Sequence, residues 1–124
     1  MIKSRPQPLS TAQRLALVTK VLSDKKADNI VALDLRDLNY MLCDYFVIAT
    51  AESDRQAQAI VDGITDALKE AEGERMGYRI EGYELGQWIL LDLGDIVVHV
   101  LQPDVRHYYK LEELWGDAKI ITYA

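Results

Sequence analysis

The side chains best suited to chemistry in this chain are few: His99 and His107, the single cysteine Cys43, and the aspartates Asp92 and Asp95 shortly before His99. Two carboxylates near an imidazole could relay a proton, so Asp92, Asp95 and His99 frame one reading, a residual nucleotide-binding or nucleotidyl-transferring enzyme. A structural role fits each residue better: Asp95 suits a turn after Gly94, and His99 suits a hydrogen-bonded position in a sheet. The two histidines are eight positions apart on different predicted elements, without the H-x-x-x-H spacing of a metal pair. Cys43 stands in no cysteine-protease signature and is read as a small buried side chain, and no G-x-S-x-G marks a nucleophilic serine. The scattered glycines make neither G-x-G-x-x-G nor a Walker motif, and no two aspartates have the D-x-D spacing that holds paired Mg²⁺. No cofactor and no metal is expected. Tyr108, Tyr109 and Trp115 could stack bases, but Glu112 and Glu113 beside them favour helix packing or a protein contact. Arg55 and Arg106 each stand alone in their segments and are read as partners in local ion pairs.

Composition narrows the setting. The chain has 124 residues, a net charge of −6, 49% apolar and 27% charged residues, the profile of one acidic, soluble, globular domain. No apolar run approaches the roughly 20 residues of a membrane span, and Met1 to Ser10 does not resemble a signal peptide. A lone thiol suits a reducing compartment, so a cytoplasmic location is expected. Without a lysine/arginine block, strong direct nucleic-acid binding is disfavoured, whereas a basic protein partner suits the acidic field.

Residues 1–8 read as a disordered leader, 9–118 as one domain and 119–124 as a tail. Ser10 and Gln13 have the spacing of a capping box, opening a helix whose stripe is Leu15, Val18 and Leu22, widened by Leu17 and Val21, and which ends near Asp24. Lys20, Lys25 and Lys26 lie towards its end, where cations complement the helix dipole. Ile30–Leu35 and Tyr45–Thr50 read as strands, joined by a polar connection from Arg36 to Asp44, and the unbroken apolar run of the second marks a central strand. Ser53 and Gln56 repeat the capping spacing before a helix with Ala57, Ile60, Val61, Ile64 and Leu68 on one face; Gly63 interrupts it and Gly73 is placed to end it in a left-handed conformation. The period then changes to two, giving strands over Tyr78–Glu81, Gln87–Leu93 and Ile96–Leu101. Asp104 is expected to cap a last helix through Tyr109 to Trp115, with Gly116 as its stop, and Ile120-Ile121-Thr122 is either a small strand or a packed tail. The order predicts an α/β (α+β) fold with a mixed five-stranded sheet and helices mainly on one face.

A two-residue turn at Gly94-Asp95 would pair Leu93 with Ile96, Leu91 with Val98 and Ile89 with Val100 on a wholly aliphatic face. The opposite face would carry Trp88 with Leu101, Leu90 with His99 and Asp92 with Val97. Two helices cannot easily cover both faces, so the Trp88 face is expected to stay partly open as a contact surface, unless the last helix covers it.

The segments Asp44-Tyr45-Phe46-Val47-Ile48, Glu81-Gly82, Trp88 to Val100 and Arg106-His107-Tyr108-Tyr109-Lys110-Leu111-Glu112-Glu113-Leu114-Trp115 resemble the ribosomal silencing factor (RsfS, Iojap) family, over about Leu17 to Asp117. The resemblance implies a nucleotidyltransferase-like fold without its catalytic carboxylates, and hence no enzymatic activity. It further implies binding to the large ribosomal subunit at its L-fourteen protein, which blocks joining of the small subunit and represses translation in starvation or stationary phase. The family's contact strand and hairpin carry over to Trp88, Leu93 and Leu101. The face argument adds Leu90, Asp92, His99 and Tyr109. Leu93 sits on the aliphatic face by the ladder and would reach a partner only because it adjoins the turn. The same patch could also close on a second copy in a homodimer off the ribosome. A scaffold recruiting a non-ribosomal protein through its acidic surface is a further alternative.

Overall fold

A computed structural model describes residues 8–38, 43–73 and 78–123. Most of the leader and the middle of the connection after Arg36 therefore lie outside the described residues. The elements run α1 (Thr11–Asp24), β1 (Asp28–Asp34), β2 (Tyr45–Thr50), α2 (Asp54–Glu72), β3 (Arg79–Glu81), β4 (Trp88–Asp92), β5 (Ile96–Leu101), α3 (Pro103–Tyr109), α4 (Leu111–Leu114) and β6 (Lys119–Thr122).

Both long helices start where a polar side chain satisfies free backbone N–H groups. Ser10 Oγ accepts from Gln13 N at 3.1 Å and Gln13 Oε1 accepts from Ser10 N at 2.9 Å, a complete capping box. At α2 only half of it forms: Ser53 Oγ accepts from Gln56 N, while Gln56 Oε1 accepts from Glu52 N, one residue earlier. Its amide then donates to the Lys25 and Lys26 carbonyls, tying the start of α2 to the end of α1. Lys20 is spent on an ion pair with Asp24, and Lys25 and Lys26 lie beyond the last turn of α1. A Cβ on Gly63 would stand 3.2 Å from Val21 Cγ1, so this glycine, costly for the helix alone, lets α1 and α2 approach. Gly73 ends α2 with φ 82° but an extended ψ of 178°, so it is not the left-handed cap expected, although its N–H still returns to Lys69 O.

The sheet is mixed and has six strands rather than five, in the order β3-β4-β5-β2-β1-β6. The sixth is the segment 119–122 of the expected tail, which pairs antiparallel with β1 from Val31↔Thr122 to Asp34↔Lys119. β2 lies inside the sheet, as its apolar run predicts, and pairs parallel with β5. The β4–β5 register agrees with the sequence-derived ladder, with Trp88↔Leu101, Leu90↔His99 and Asp92↔Val97 on one face and Ile89↔Val100 and Leu91↔Val98 on the other.

The aliphatic face meets α1 and α2. Val18, Leu22, Ile60, Val61, Ile64 and Leu68 pack on Ala32, Val47, Ile89, Leu91, Val98 and Val100 in the larger core. Helices are not confined to that face: α3 and α4 bring Val105, Leu111 and Trp115 onto Leu33, Ile48, Phe46 and Leu101 in a second, smaller core. The last helix is broken in two because Lys110 adopts a left-handed conformation, φ 48° and ψ 54°. Gln102 is the residue preceding α3 and Pro103 its first, so Asp104 lies inside the first turn rather than at the cap. Trp115, not Gly116, ends α4. Pro103 explains the shift, since proline favours the first helical position, where no N–H is needed. Arg106 fixes α3 to the sheet by donating to Asn29 O at 2.6 Å and to Thr50 Oγ1 at 2.9 Å, and pairs with Glu112 at 3.3 Å.

Candidate functional site

Trp88 opens β4 and is held there by the turn before it. Gly82 has φ 78°, and a Cβ on it would fall 2.2 Å from the Trp88 carbonyl oxygen. Gly86 has φ 66°, and its Cβ would meet Asp54 Cβ at 2.6 Å. Only glycine tolerates both demands. Gln58 Nε2 donates to Tyr83 O at 2.9 Å and the Tyr83 hydroxyl donates to Asp62, which bolts this turn to α2. At the far end, Gly94 with φ 92° makes the hairpin turn, and its N–H donates to Asp92 Oδ1 at 2.8 Å.

On this frame rings from α3, β4, β5 and β2, with Trp115 at the end of α4, meet in one continuous row. Trp88 lies against Tyr109, with ring centres 4.9 Å apart, and Tyr109 against Tyr108 at 5.0 Å. Inward, Trp88 Nε1–H donates to His99 Nδ1 at 3.1 Å; His99 meets Phe46 edge-on at 5.0 Å, and Phe46 meets Trp115 at 5.7 Å. Exposure falls from Tyr108, 78% exposed, through Tyr109 at 49% to His99 at 6%, and Phe46 and Trp115 beyond it are half-buried again. Trp88, Leu90 and Asp92 are half-buried between these limits. Glu81, Gly82, Trp88 and Leu90 line a hollow of about 230 Å³ beside the indole.

The structure gathers five of the seven expected contact residues on this face, Trp88, Leu90, Asp92, His99 and Tyr109, of which His99 is itself buried beneath Trp88. The other two lie off the open surface as well. Leu101 is 0% exposed, because α3 and α4 cover the end of β5, and Leu93 is 8% exposed in the larger core, on the aliphatic side that the ladder assigned to it. Sequence reasoning missed Phe46 in the row, since the β2–β5 pairing that brings it near His99 is long-range, whereas Trp115 was read with Tyr108 and Tyr109 as helix packing or a protein contact and packs on Phe46. The exposure of Tyr108 had a signal: two adjacent helical tyrosines cannot both face one core.

The Asp92–Asp95–His99 group of the enzymatic reading does not assemble. Asp92 is occupied by the Gly94 turn, and Asp95 turns to the helical side, where it accepts from Thr11 Oγ1 at 2.7 Å and from Arg14 Nη1 at 2.9 Å. Arg14 also forks onto Glu72 with two 2.7 Å bonds, so α1, α2 and the hairpin turn share one ion cluster. The Arg14 guanidinium holds the Glu72 carboxyl below the usual carboxylate range. Burial pushes the His99 imidazole down to about 4, so it is neutral at pH 7 and unsuited to act as a cation. Burial likewise raises the Cys43 thiol, which disfavours the nucleophilic thiolate. His107 lies elsewhere, at a polar cleft of about 450 Å³ with Asp28, Asn29, Thr50, Glu52, Pro103 and Arg106. Among the described residues no three side chains able to hold a metal ion come together, and no helix is long and apolar enough to cross a membrane.

Comparison with known proteins places the chain in a family. Residues 8–124 match the sequence model of a family described as ribosomal silencing factor during starvation. A ribosomal silencing factor RsfS of Halalkalibacterium halodurans is 41% identical over 91% of this chain and 94% of its own length. One of Bacillus subtilis is 42% identical over 86% of this chain and 87% of its own. A crystal structure of a Chromobacterium violaceum protein superposes with a TM-score of 0.79 at 38% identity, covering 87% of this chain and 88% of that one. With nearly its whole described length shared at this level, the chain belongs to the ribosomal silencing factor family.

Proposed function

We propose that this protein binds the large ribosomal subunit at its L-fourteen protein through the Trp88 face and thereby prevents the small subunit from joining, which represses translation in starvation or stationary phase. The role is steric and non-catalytic, it acts in the cytoplasm where ribosomes assemble, and kinship with the nucleotidyltransferase fold is one of shape without chemistry. The observation that carries the reading is the aromatic row: a half-buried Trp88 backed by Tyr109 and flanked by Leu90, with Asp92 as the only carboxylate of β4 on that face and the exposed Arg79 and Glu81 of β3, paired with each other, at its rim. Interface centres have this make-up, aromatic anchors with few charges. The net charge of −6 supplies a field that speeds encounter with a basic ribosomal protein. Leu93 and Leu101 support the contact from beneath, by fixing the hairpin, rather than by touching the partner.

The test is sedimentation of purified subunits under joining conditions with the wild-type protein, Trp88→Ala and Trp88→Glu, each checked for folding by circular dichroism. Wild type should travel with the large subunit and deplete joined ribosomes. Truncation to alanine should weaken binding by about 2 kcal/mol, roughly thirtyfold. Normal joining with the wild-type protein left at the top of the gradient would overturn the proposal. Off the ribosome, light scattering over a dilution series distinguishes a monomer from a two-fold dimer that covers the same face.

A further inference from the structure

The single polar atom of the Trp88 indole is already committed inside the protein. Its Nε1–H donates to His99 Nδ1 at 3.1 Å, and His99 is 6% exposed. An imidazole that accepts at Nδ1 and is neutral carries its proton on Nε2. That nitrogen is buried with no hydrogen-bond partner among the described residues. An unsatisfied buried donor is costly, and a hydrocarbon side chain would fill the site without it. What the imidazole adds at this position is the acceptor for Trp88. Phe46 holds the imidazole edge-on at 5.0 Å and Tyr109 lies against the indole at 4.9 Å, so donor and acceptor are each braced by a second ring.

We propose that His99 is a positioning residue for the contact face: its Nδ1 holds the Trp88 indole in one orientation, with the N–H turned inward and only hydrocarbon offered to the partner. This rests on the reading of the Trp88 face as the ribosome-binding surface. Two consequences follow from removing the acceptor. The indole gains rotational freedom that binding must then remove, and its N–H must be buried against the partner without a bond. Both weaken association while leaving the core of the fold in place.

The experiment uses the full chain as wild type, His99→Phe, which keeps a ring but no acceptor, His99→Asn, whose side-chain oxygen can replace Nδ1, and Trp88→Ala. The first readout is solvent exchange of the Trp88 indole proton by NMR, assigned with Trp115→Phe, together with the nitrogen shifts that report the His99 tautomer. The second is affinity for purified large subunits. Wild type should show a protected indole proton and a proton on His99 Nε2. His99→Phe should exchange that indole proton at least roughly tenfold faster and bind roughly tenfold more weakly, the scale of one lost hydrogen bond at an anchor, with His99→Asn restoring both. A freely exchanging indole proton or the opposite tautomer in wild type overturns the inference without any variant. Undiminished affinity of His99→Phe beside a weakened Trp88→Ala overturns it alone. Undiminished affinity of Trp88→Ala overturns the reading of the face, and this inference with it.

Discussion

On one face of the sheet Ile89, Leu91, Val98 and Val100 lie wholly buried under two long helices, while on the other Trp88 and Leu90, from the same strand β4, remain half-open beside a buried histidine. The alternation of one strand supplies both surfaces, because successive side chains point to opposite faces. What differs is the cover. α1 and α2 extend across the first face with aliphatic stripes, whereas α3 and α4 reach β1, β2 and the end of β5 and stop at Trp88. Polar groups follow the same division. Arg14, Glu72 and Asp95 form a nearly closed ion cluster at the margin of the helical face, and on the other face the Trp88–His99 bond lies among rings and the aliphatic side chains of the smaller core. One face is closed by helices and the other is left partly open.

Neighbouring leucines on β4 give the largest test of this contrast. Leu91→Ala, in the dry core, should cost about 4 kcal/mol of unfolding free energy in urea titrations, within the range for buried leucines. Leu90→Ala, one residue away, should cost under about 1 kcal/mol, as expected for a partly exposed site. Equal losses would mean that the two faces are packed alike.

Glu72→Ala should follow at about 3 kcal/mol, because it strands the Arg14 guanidinium beside Asp95 alone, and breaking one partner of a buried pair is far worse than never having it. The same denaturant titration measures it. A loss of only a few tenths would show that the cluster is solvated and that the margin of the helical face is as open as the Trp88 side.

Acid should act first on the open face. His99 is neutral in the fold with its pKa lowered from 6.5 to about 4, so between those values the unfolded chain binds more protons than the native one. Stability from this group is therefore complete above about pH 6.5 and falls as pH drops towards about 4, by at most about 3 kcal/mol. Glu72, held lower than usual by Arg14, keeps its contribution down to its ordinary value of 4.5 and loses it as pH falls from there through its lowered value. His99→Phe should flatten the first decline and leave the second. An unchanged decline in that variant would assign it to other groups.

Much of the frame was legible because it is local. Ser10 with Gln13 and the apolar stripe of α2 determine helices through contacts three and four residues apart. Gly94-Asp95 set the hairpin, and with it the full β4–β5 register and the separation of the Trp88 face from the aliphatic one. The errors came where distant segments compete. Ile120-Ile121-Thr122, open to either a small strand or a packed tail from sequence, became β6 and raised the sheet from five strands to six because β1 had a free edge for Lys119–Thr122 to pair with. Leu101, carried over as a contact residue from the family resemblance and placed by the hairpin on the Trp88 face, is where the alternative of cover by the last helix is realised, as α3 and α4 close over it. The break at Lys110 depends on a left-handed lysine that residue type does not announce.

By itself the sequence determined the family, the two faces of the hairpin and the absence of any spacing that would hold a metal or cradle a phosphate, all properties of neighbouring residues and their periods. Only the tertiary structure decided how deep each residue of the contact face lies, that Asp95 turns to Arg14 and away from His99, and that the Trp88 N–H points inward. Those outcomes depend on which helices reach which strands, and that is settled by packing among segments far apart in the chain, where local pattern carries no information.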